Sequence, residues 1–350
     1  MREHVLSSWL RLKPRTPRTG MSRRRLLALA SAAVLAIAPH AADAAEATSP
    51  RVITFQYQVT IPATAADQKP VDVFVPIPRT DTHQKVLEAT VDAPFDGEQR
   101  NDAVHGNAYW HGRVAGDVAS PTTITMTARV ERQAVALDLS QKGGATELTP
   151  AQREAHAIYL GSNSRVPIDS DQVKTILADL PESDGTLLGK ARVIYDYVVD
   201  NMDYKKTGDG WGHGDTHWAC SSKYGNCTDF HALFISLARA SGIPARFEIG
   251  FPVPQSPAQG DVKGYHCWVQ FWIPELGWIP IDASEAKKHP EQREALFGGQ
   301  PADRILFTIG RDHQLGDGHA APALNYFVYP HVETAGAPTP GVTKAFRYGG

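Results

Sequence analysis

The chain has 350 residues, 35 Lys/Arg against 38 Asp/Glu for a net charge of −3, and three cysteines. That balance excludes a basic nucleic-acid surface, since phosphate contacts dominate such affinity and need clustered cations. Three cysteines exclude a disulfide scaffold and leave at least one thiol free.

The first elements concern export. Met21-Ser22-Arg23-Arg24-Arg25 stands directly before an apolar run from Leu26 to Ala38, and Ala42-Asp43-Ala44 fits an A-x-A cleavage site. This is the layout of a signal peptide over residues 1–44, with arginines suited to the twin-arginine route. The run is shorter than the ~20 residues that span a bilayer, and no later segment is apolar enough, so stable membrane insertion after cleavage is not expected. Residues 1–44 hold eight Lys/Arg and two acids, so the remaining chain of about 300 residues carries −9. That length buries a good core and suggests two domains. A periplasmic or secreted protein is expected.

Residues 45–140 read as a small β-sandwich. Val52–Val59, Val71–Val75, Thr122–Thr127 and the stretch around Ala128-Arg129-Val130 alternate or are β-rich, punctuated by Pro, Gly and Asp. Gln141-Lys142-Gly143-Gly144 reads as a linker. Thr149-Pro150 then opens a helical stretch as N-cap and first turn. Leu187–Asn201 carries Leu188, Ala191, Ile194, Tyr195 and Val198 on one face. After a Gly- and Trp-rich loop from Thr207 to Tyr224, Phe230, Leu233, Phe234 and Leu237 mark a buried helix that stops at Gly242-Ile243-Pro244. Strands are expected over Ala245–Phe251, Tyr265–Ile273 and Trp278–Ile281, with further strands from Arg304 to Pro330. Residues 336–350 read as a loose tail rich in Gly, Pro and Thr.

The chemistry centres on Cys227, at the first turn of the predicted helix. A helix N-terminus carries about half a positive charge, which favours thiolate, and its free N–H groups suit an oxyanion. The plain alternative is a small buried apolar residue. His266 lies on a predicted strand, where alternation puts His266, Trp268 and Gln270 on one face and Tyr265, Cys267, Val269 and Phe271 on the other. Cys267 is therefore expected to face away from the catalytic side. Asp282 ends the apolar strand Gly277–Ile281, and a buried acid needs a partner such as an imidazole N–H. Thiolate, base and orienting carboxylate make a Cys-His-Asp nucleophilic triad.

The run from Tyr204 to about Ala286 resembles the transglutaminase-like superfamily. The resemblance rests on Gly225-Asn226-Cys227-Thr228-Asp229, Arg239-Ala240-Ser241-Gly242-Ile243-Pro244-Ala245-Arg246, His266-Cys267-Trp268 and Gly277-Trp278-Ile279-Pro280-Ile281-Asp282, with catalytic spacings of 39 and 16 residues. It implies an α+β fold with a papain-like core over residues 145–335, the Cys helix packed on an antiparallel sheet, preceded by the β-sandwich. It implies catalysis by Cys227, His266 and Asp282 through an acyl-thioester on peptide amides, with hydrolysis favoured over amine transfer. Gln270 stands where many relatives carry an acid. No loop of spaced acids calls for calcium, and no cofactor is expected. The expected partner is a peptide or protein substrate, not nucleic acid, while the oligomeric state is unknown.

The Cys227 N–H is the expected oxyanion donor, with Trp211, Trp218 and Tyr224 as candidates for a side-chain donor or the cleft wall. A Cys220–Cys267 disulfide would leave Cys227 free. His213, His217, Cys220, Cys227, His231 and Cys267 suggest metal, but there is no C-x2-C pair and His213 and His217 lie in a Gly-rich loop. The other alternative is a catalytically silent module that binds peptide or glycan.

Overall fold

The computed structural model describes residues 50–65, 67–140 and 143–349. The signal-peptide segment and Gln141-Lys142 of the linker lie outside the described residues. Seven strands come first: β1 (Arg51–Ile61), β2 (Val71–Pro76), β3 (Gln84–Asp92), β4 (Gly97–Asn101), β5 (Ala108–Val114), β6 (Thr122–Arg132) and β7 (Val135–Ala136). Then follow α1 (Pro150–Ala155), α2 (Asp171–Asp179), α3 (Leu187–Asn201), β8 (Asp203–Tyr204), α4 (Thr216–Ser222), β9 (Tyr224–Gly225) and α5 (Cys227–Ala240). The remainder is β10 (Ala245–Pro252), β11 (Gly260–Asp261), β12 (His266–Ile273), β13 (Gly277–Ile281), α6 (Ala283–Lys288), β14 (Gly299–Gln300), β15 (Arg304–Ile309), β16 (His331–Thr334), β17 (Ala337–Pro338) and β18 (Thr343–Gly349).

Period-two burial builds the first layers. In β1, Ile53, Phe55, Tyr57, Val59 and Ile61 turn inward, and in β6 Ile124, Met126, Ala128 and Val130 do the same. Two five-stranded sheets result, ordered β11-β18-β1-β6-β3 and β17-β16-β2-β5-β4. Strands from both ends of the chain are therefore interleaved. The expected loose tail is corrected here: β18 pairs antiparallel with β1, Phe346 opposite Tyr57, and buries Phe346 and Tyr348. The Gly and Pro content that suggested disorder falls in the turns around β17, while Thr343–Gly349 itself alternates.

The papain-like core is a four-stranded antiparallel sheet ordered β13-β12-β10-β15, with α5 on one face. Helix α5 is buried on all sides from Cys227 to Arg239, so its apolar stripe is completed by neighbours all round. Phe234 meets Phe271 of β12 at 6.0 Å between ring centroids. Truncating such a side chain to Ala costs about 3–5 kcal/mol. The helix stops where Gly242 adopts φ +79°, a left-handed conformation that disfavours a Cβ. Thr149 caps α1 in a reciprocal capping box with Gln152, as its sequence suggests. The sandwich grips β15 through side chains: Gln84 bonds the N–H and C=O of Leu306, and Asn107 those of Ile309.

Candidate active site

The approach to Cys227 is fixed by a carboxylate. Asn226 caps α5, accepting from Thr228 N, and Asp229 reaches back to the Asn226 N–H at 2.9 Å. Gly225 is required there, because a Cβ would collide with the Asp229 carboxylate. The same carboxylate accepts from Gly212 N at 2.7 Å and Gly214 N at 2.9 Å, pinning the preceding loop to the helix. Cys227 thus stands at the first turn of a 14-residue helix, 2% exposed.

His266 begins β12, and Asp282 follows β13 as the N-cap of α6. His266 Nε2 lies 2.6 Å from Asp282 Oδ2, leaving Nδ1 for the sulfur. Asp282 Oδ2 also accepts from Arg304 Nη1 at 3.1 Å, while Oδ1 accepts from Ser284 Oγ at 2.9 Å and Glu285 N at 3.0 Å. A buried carboxylate with this many donors is held ionised. Burial alone raises its pKa, but His266 and then Arg304 hold it well below the usual range.

The same accounting makes Cys227 a thiolate. Burial pushes the thiol up, yet hydrogen bonds from Cys267 and His266 and the charge of His266 hold it well below the ordinary thiol range. Burial disfavours the imidazolium, but the charge and hydrogen bond of Asp282 and the contact with Cys227 raise His266 to about 10. Thiolate and imidazolium form a charged pair on an oriented carboxylate, an arrangement able to serve acyl transfer.

The expectation that Cys267 faces away is corrected. Alternation does separate His266 from Cys267, but α5 packs on the Cys267 face, which brings Cys267 within hydrogen-bonding reach of Cys227. His266 stands at the strand's first position, next to the first turn of α5. Cys220, Cys227 and Cys267 are all free and buried, so the suggested Cys220–Cys267 disulfide is absent: Cys220 lies in α4 and Cys267 turns to α5. Burial, then the contact with Cys227, keeps Cys267 a neutral thiol.

The sequence reading named His231, one helical turn beyond Cys227, only among possible metal ligands and gave it no place beside the triad. Its Nδ1 is 3.4 Å from Cys267 Sγ and its Nε2 is 3.6 Å from Asp282 Oδ1, with no hydrogen-bond partner for Nε2 among the described residues. Burial lowers its pKa to about 4, so it is neutral at physiological pH. The i, i+4 spacing from Cys227 was its available signal. Arg304, 22 residues past Asp282 on β15, had none.

Among the candidate cleft residues, Trp218 Nε1 donates to Tyr224 O at 3.1 Å and Tyr224 Oη to Thr207 O at 3.3 Å. Their donors serve the loop rather than the sulfur. Trp211 is half-buried in the segment pinned by Asp229. Gln270 accepts from Arg246 at 2.7 Å, which gives it a local structural role. Arg311 bonds Asn325 and His213 O while Asp312 accepts from Ser164, so these two neighbours serve different partners.

Among the described residues, two groups have the spacing of a cation site: His266 with Asp282 and Glu285, and His319 with His331 and Glu333. In the first group His266 Nε2 is already engaged by Asp282 Oδ2 at 2.6 Å. In the His319–His331–Glu333 group, Leu315 N donates to His319 Nδ1 at 2.9 Å, which places that ring's proton on Nε2, the atom facing Glu333.

Comparison with known proteins agrees with this geometry. The profile of the transglutaminase-like superfamily matches residues 174–283, which include Cys227, His266 and Asp282. An uncharacterized protein of Haemophilus influenzae is 26% identical over 248 residues, 59% of this chain. The protein YebA of Bacillus subtilis is 24% identical over 136 residues, 35% of this chain. The matched stretches span 66% and 18% of those relatives' lengths, so the chain covers under two thirds of either. A crystal structure from Cytophaga hutchinsonii, described as a candidate cysteine protease, shares the fold with a TM-score of 0.55 at 17% identity, covering 85% of this chain and 98% of that one. With its Cys helix, antiparallel sheet and matching profile, the stretch 174–283 is a transglutaminase-like core.

Proposed function

We propose that this chain is a cysteine-dependent enzyme that cleaves peptide amide bonds through an acyl-thioester on Cys227. The observation that carries the reading is the buried constellation in which His266 sits between the Cys227 sulfur and Asp282. The thiolate attacks the amide carbonyl carbon, and the oxyanion meets the Cys227 N–H at the start of α5. His266, as imidazolium, protonates the amine nitrogen as the C–N bond breaks. Neutral His266 then takes a proton from water, whose oxygen attacks the thioester and releases carboxylate and Cys227 thiolate. An amine in place of water would give a new amide. Hydrolysis is favoured because water is the abundant acceptor outside the cytoplasm, where the arginine-led leader would send the chain. Among the described residues no helix is long and apolar enough to cross a membrane.

The test is casein hydrolysis by purified protein, run with and without dansylcadaverine. Peptide release lost in Cys227→Ser supports the reading. Dye incorporation outrunning release would reassign the acceptor to amines. Intact substrate retained equally by wild type and Cys227→Ser would instead favour a binding module.

A further inference from the structure

We infer that the substrates of this site are acidic peptides, recognised through Asp or Glu side chains near the scissile amide by lysines on the segments that flank Cys227 and His266. The inference names the substrate class for the acyl-transfer reading and rests on it.

Backbone pairing assembles the cluster. β8 runs parallel to β9 with Tyr204 opposite Gly225, two residues before the nucleophile. Lys205 N donates to Gly225 O at 3.0 Å and Asp203 N to Lys223 O at 2.9 Å. Lys205, Lys206 and Lys223 therefore flank the segment that delivers Cys227. Lys287 and Lys288 end α6, the helix that Asp282 caps. The two groups meet on one ring, with Lys206 Nζ 5.6 Å and Lys288 Nζ 4.7 Å from the Tyr204 centroid. Lys288 also pairs with Glu285 Oε1, which lies 3.6 Å from His266 Nε2, so a single carboxylate separates this amine from the imidazole.

Positive charge is left over after the protein's own pairing. Residues 203–209, 223 and 285–288 hold five lysines against three acids, in a chain whose residues after 44 carry −9. Lys287 is matched by Asp203 at 3.2 Å and Lys288 by Glu285. Lys205, Lys206 and Lys223 have no carboxylate partner among the described residues. Aromatic faces restrain their flexible stems instead: Tyr224, Tyr204 and Tyr197 lie 5.3, 5.6 and 5.3 Å from the three amines in turn. Lys223 further donates to Tyr197 Oη at 2.9 Å, whereas Lys205 and Lys206 are exposed and open to a ligand. Charge of one sign gathered beside a reactive site raises the local concentration of opposite charge, and salt screens the effect. The chain's excess of acid elsewhere makes this cluster the place where an acidic peptide is drawn in rather than repelled.

The experiment digests a proteome-derived peptide library with four proteins at low and high salt and maps the cuts by mass spectrometry. The proteins are wild type, Cys227→Ser, the pair Lys205→Glu with Lys206→Glu, and the pair Lys205→Arg with Lys206→Arg. Wild-type cuts should be enriched in Asp and Glu within about three residues of the scissile bond, the reach of a ~10 Å Debye length along an extended chain. That enrichment should fall about tenfold in the Glu pair, survive in the Arg pair, and shrink with salt in wild type. Cutting of peptides without acids should be unchanged in the Glu pair, which shows an intact fold and triad. Wild-type cuts without acid enrichment, or enrichment that persists in the Glu pair, overturn the inference and leave the acyl-transfer reading standing. Equal loss on all peptides in the Glu pair also overturns it, assigning the lysines to the fold. Peptides left as intact by wild type as by Cys227→Ser sink the acyl-transfer reading, and this inference with it.

Discussion

Arg304 donates to the same Asp282 oxygen that binds His266, at 3.1 Å and 2.6 Å respectively. The carboxylate is therefore aimed by a residue from a third strand, β15, and is not free to swing away when the imidazole moves. Arg304→Met should cost about 3–5 kcal/mol, because it leaves a buried anion short of a partner. Without that cation the imidazolium is better stabilised, so the alkaline limb of the pH–rate profile should move upward. Urea denaturation and the pH–rate profile check the two effects, and Arg304→Lys should be intermediate in both.

The charged pair predicts unusual labelling. An ordinary thiol is only about 0.1% ionised at pH 5.5. With Cys227 held low and His266 raised to about 10, the thiolate–imidazolium pair spans the neutral range and reaches below it. Iodoacetamide should modify Cys227 at pH 5.5 within about tenfold of its rate at pH 8.5, whereas a normal thiol changes about 500-fold. His266→Ala should restore the normal dependence, read by mass spectrometry of the alkylated peptide. The sign for stability follows: His266 contributes fully below about pH 6.5, and that contribution is lost as pH rises through about 10.

Cys267 is expected to lower the Cys227 thiol's pKa by donating its S–H to it. After burial, this contact is the foremost influence on Cys227, and it lowers the thiol's pKa. Cys267→Ala should raise the apparent Cys227 pKa. Cys267→Ser, which keeps a donor, should move it less. An alkylation titration giving identical curves for wild type and Cys267→Ala would refute the role.

Much of this arrangement was legible in the sequence, for identifiable reasons. Helix signals at Thr149 and Gly242 and alternation in β1 are local, and each recurs in the structure. Cys227, His266 and Asp282 stood out because Cys227 opens a helix, Asp282 follows an apolar strand, and all three lie in motifs that resemble the transglutaminase-like superfamily. What alternation could not say is which face of β12 receives α5, so Cys267 was placed away from the nucleophile it touches. Arg304 was invisible because a buried arginine is defined by its tertiary partner. β18 was obscured by the glycines and prolines flanking it, although Phe346 and Tyr348 already show its inward period.

Asp229 should matter as much to the loop as to the helix. Its carboxylate satisfies the N–H groups of Gly212, Gly214 and Asn226 together. Asp229→Ala leaves all three without that acceptor and should cost about 3 kcal/mol. Lys205 and Lys206 stand just before the loop, so trypsin should cut there faster in the variant than in wild type. Equal digestion rates would mean that the loop is held by other contacts, such as Arg311 on His213 O.

The last strand gives the plainest test of how the two ends of the chain depend on each other. β18 lies between β1 and β11, with Tyr348 opposite Phe55 and Gly260. Phe346 stacks against core aromatics, its centroid 4.4 Å from Phe251 and 4.6 Å from Tyr57. Ending the chain at residue 342 removes both inward rings, each contributing about 1.5–3 kcal/mol of burial, and opens the edge of β1. Against a typical total of about 5–15 kcal/mol, the shortened protein should unfold at much lower urea or be recovered as aggregate. Phe346→Ala in the full chain separates the causes: it should lose about 3–5 kcal/mol while keeping the ladder. If the truncated protein denatures at the wild-type midpoint, β18 adds nothing to the fold and the correction of the loose tail fails.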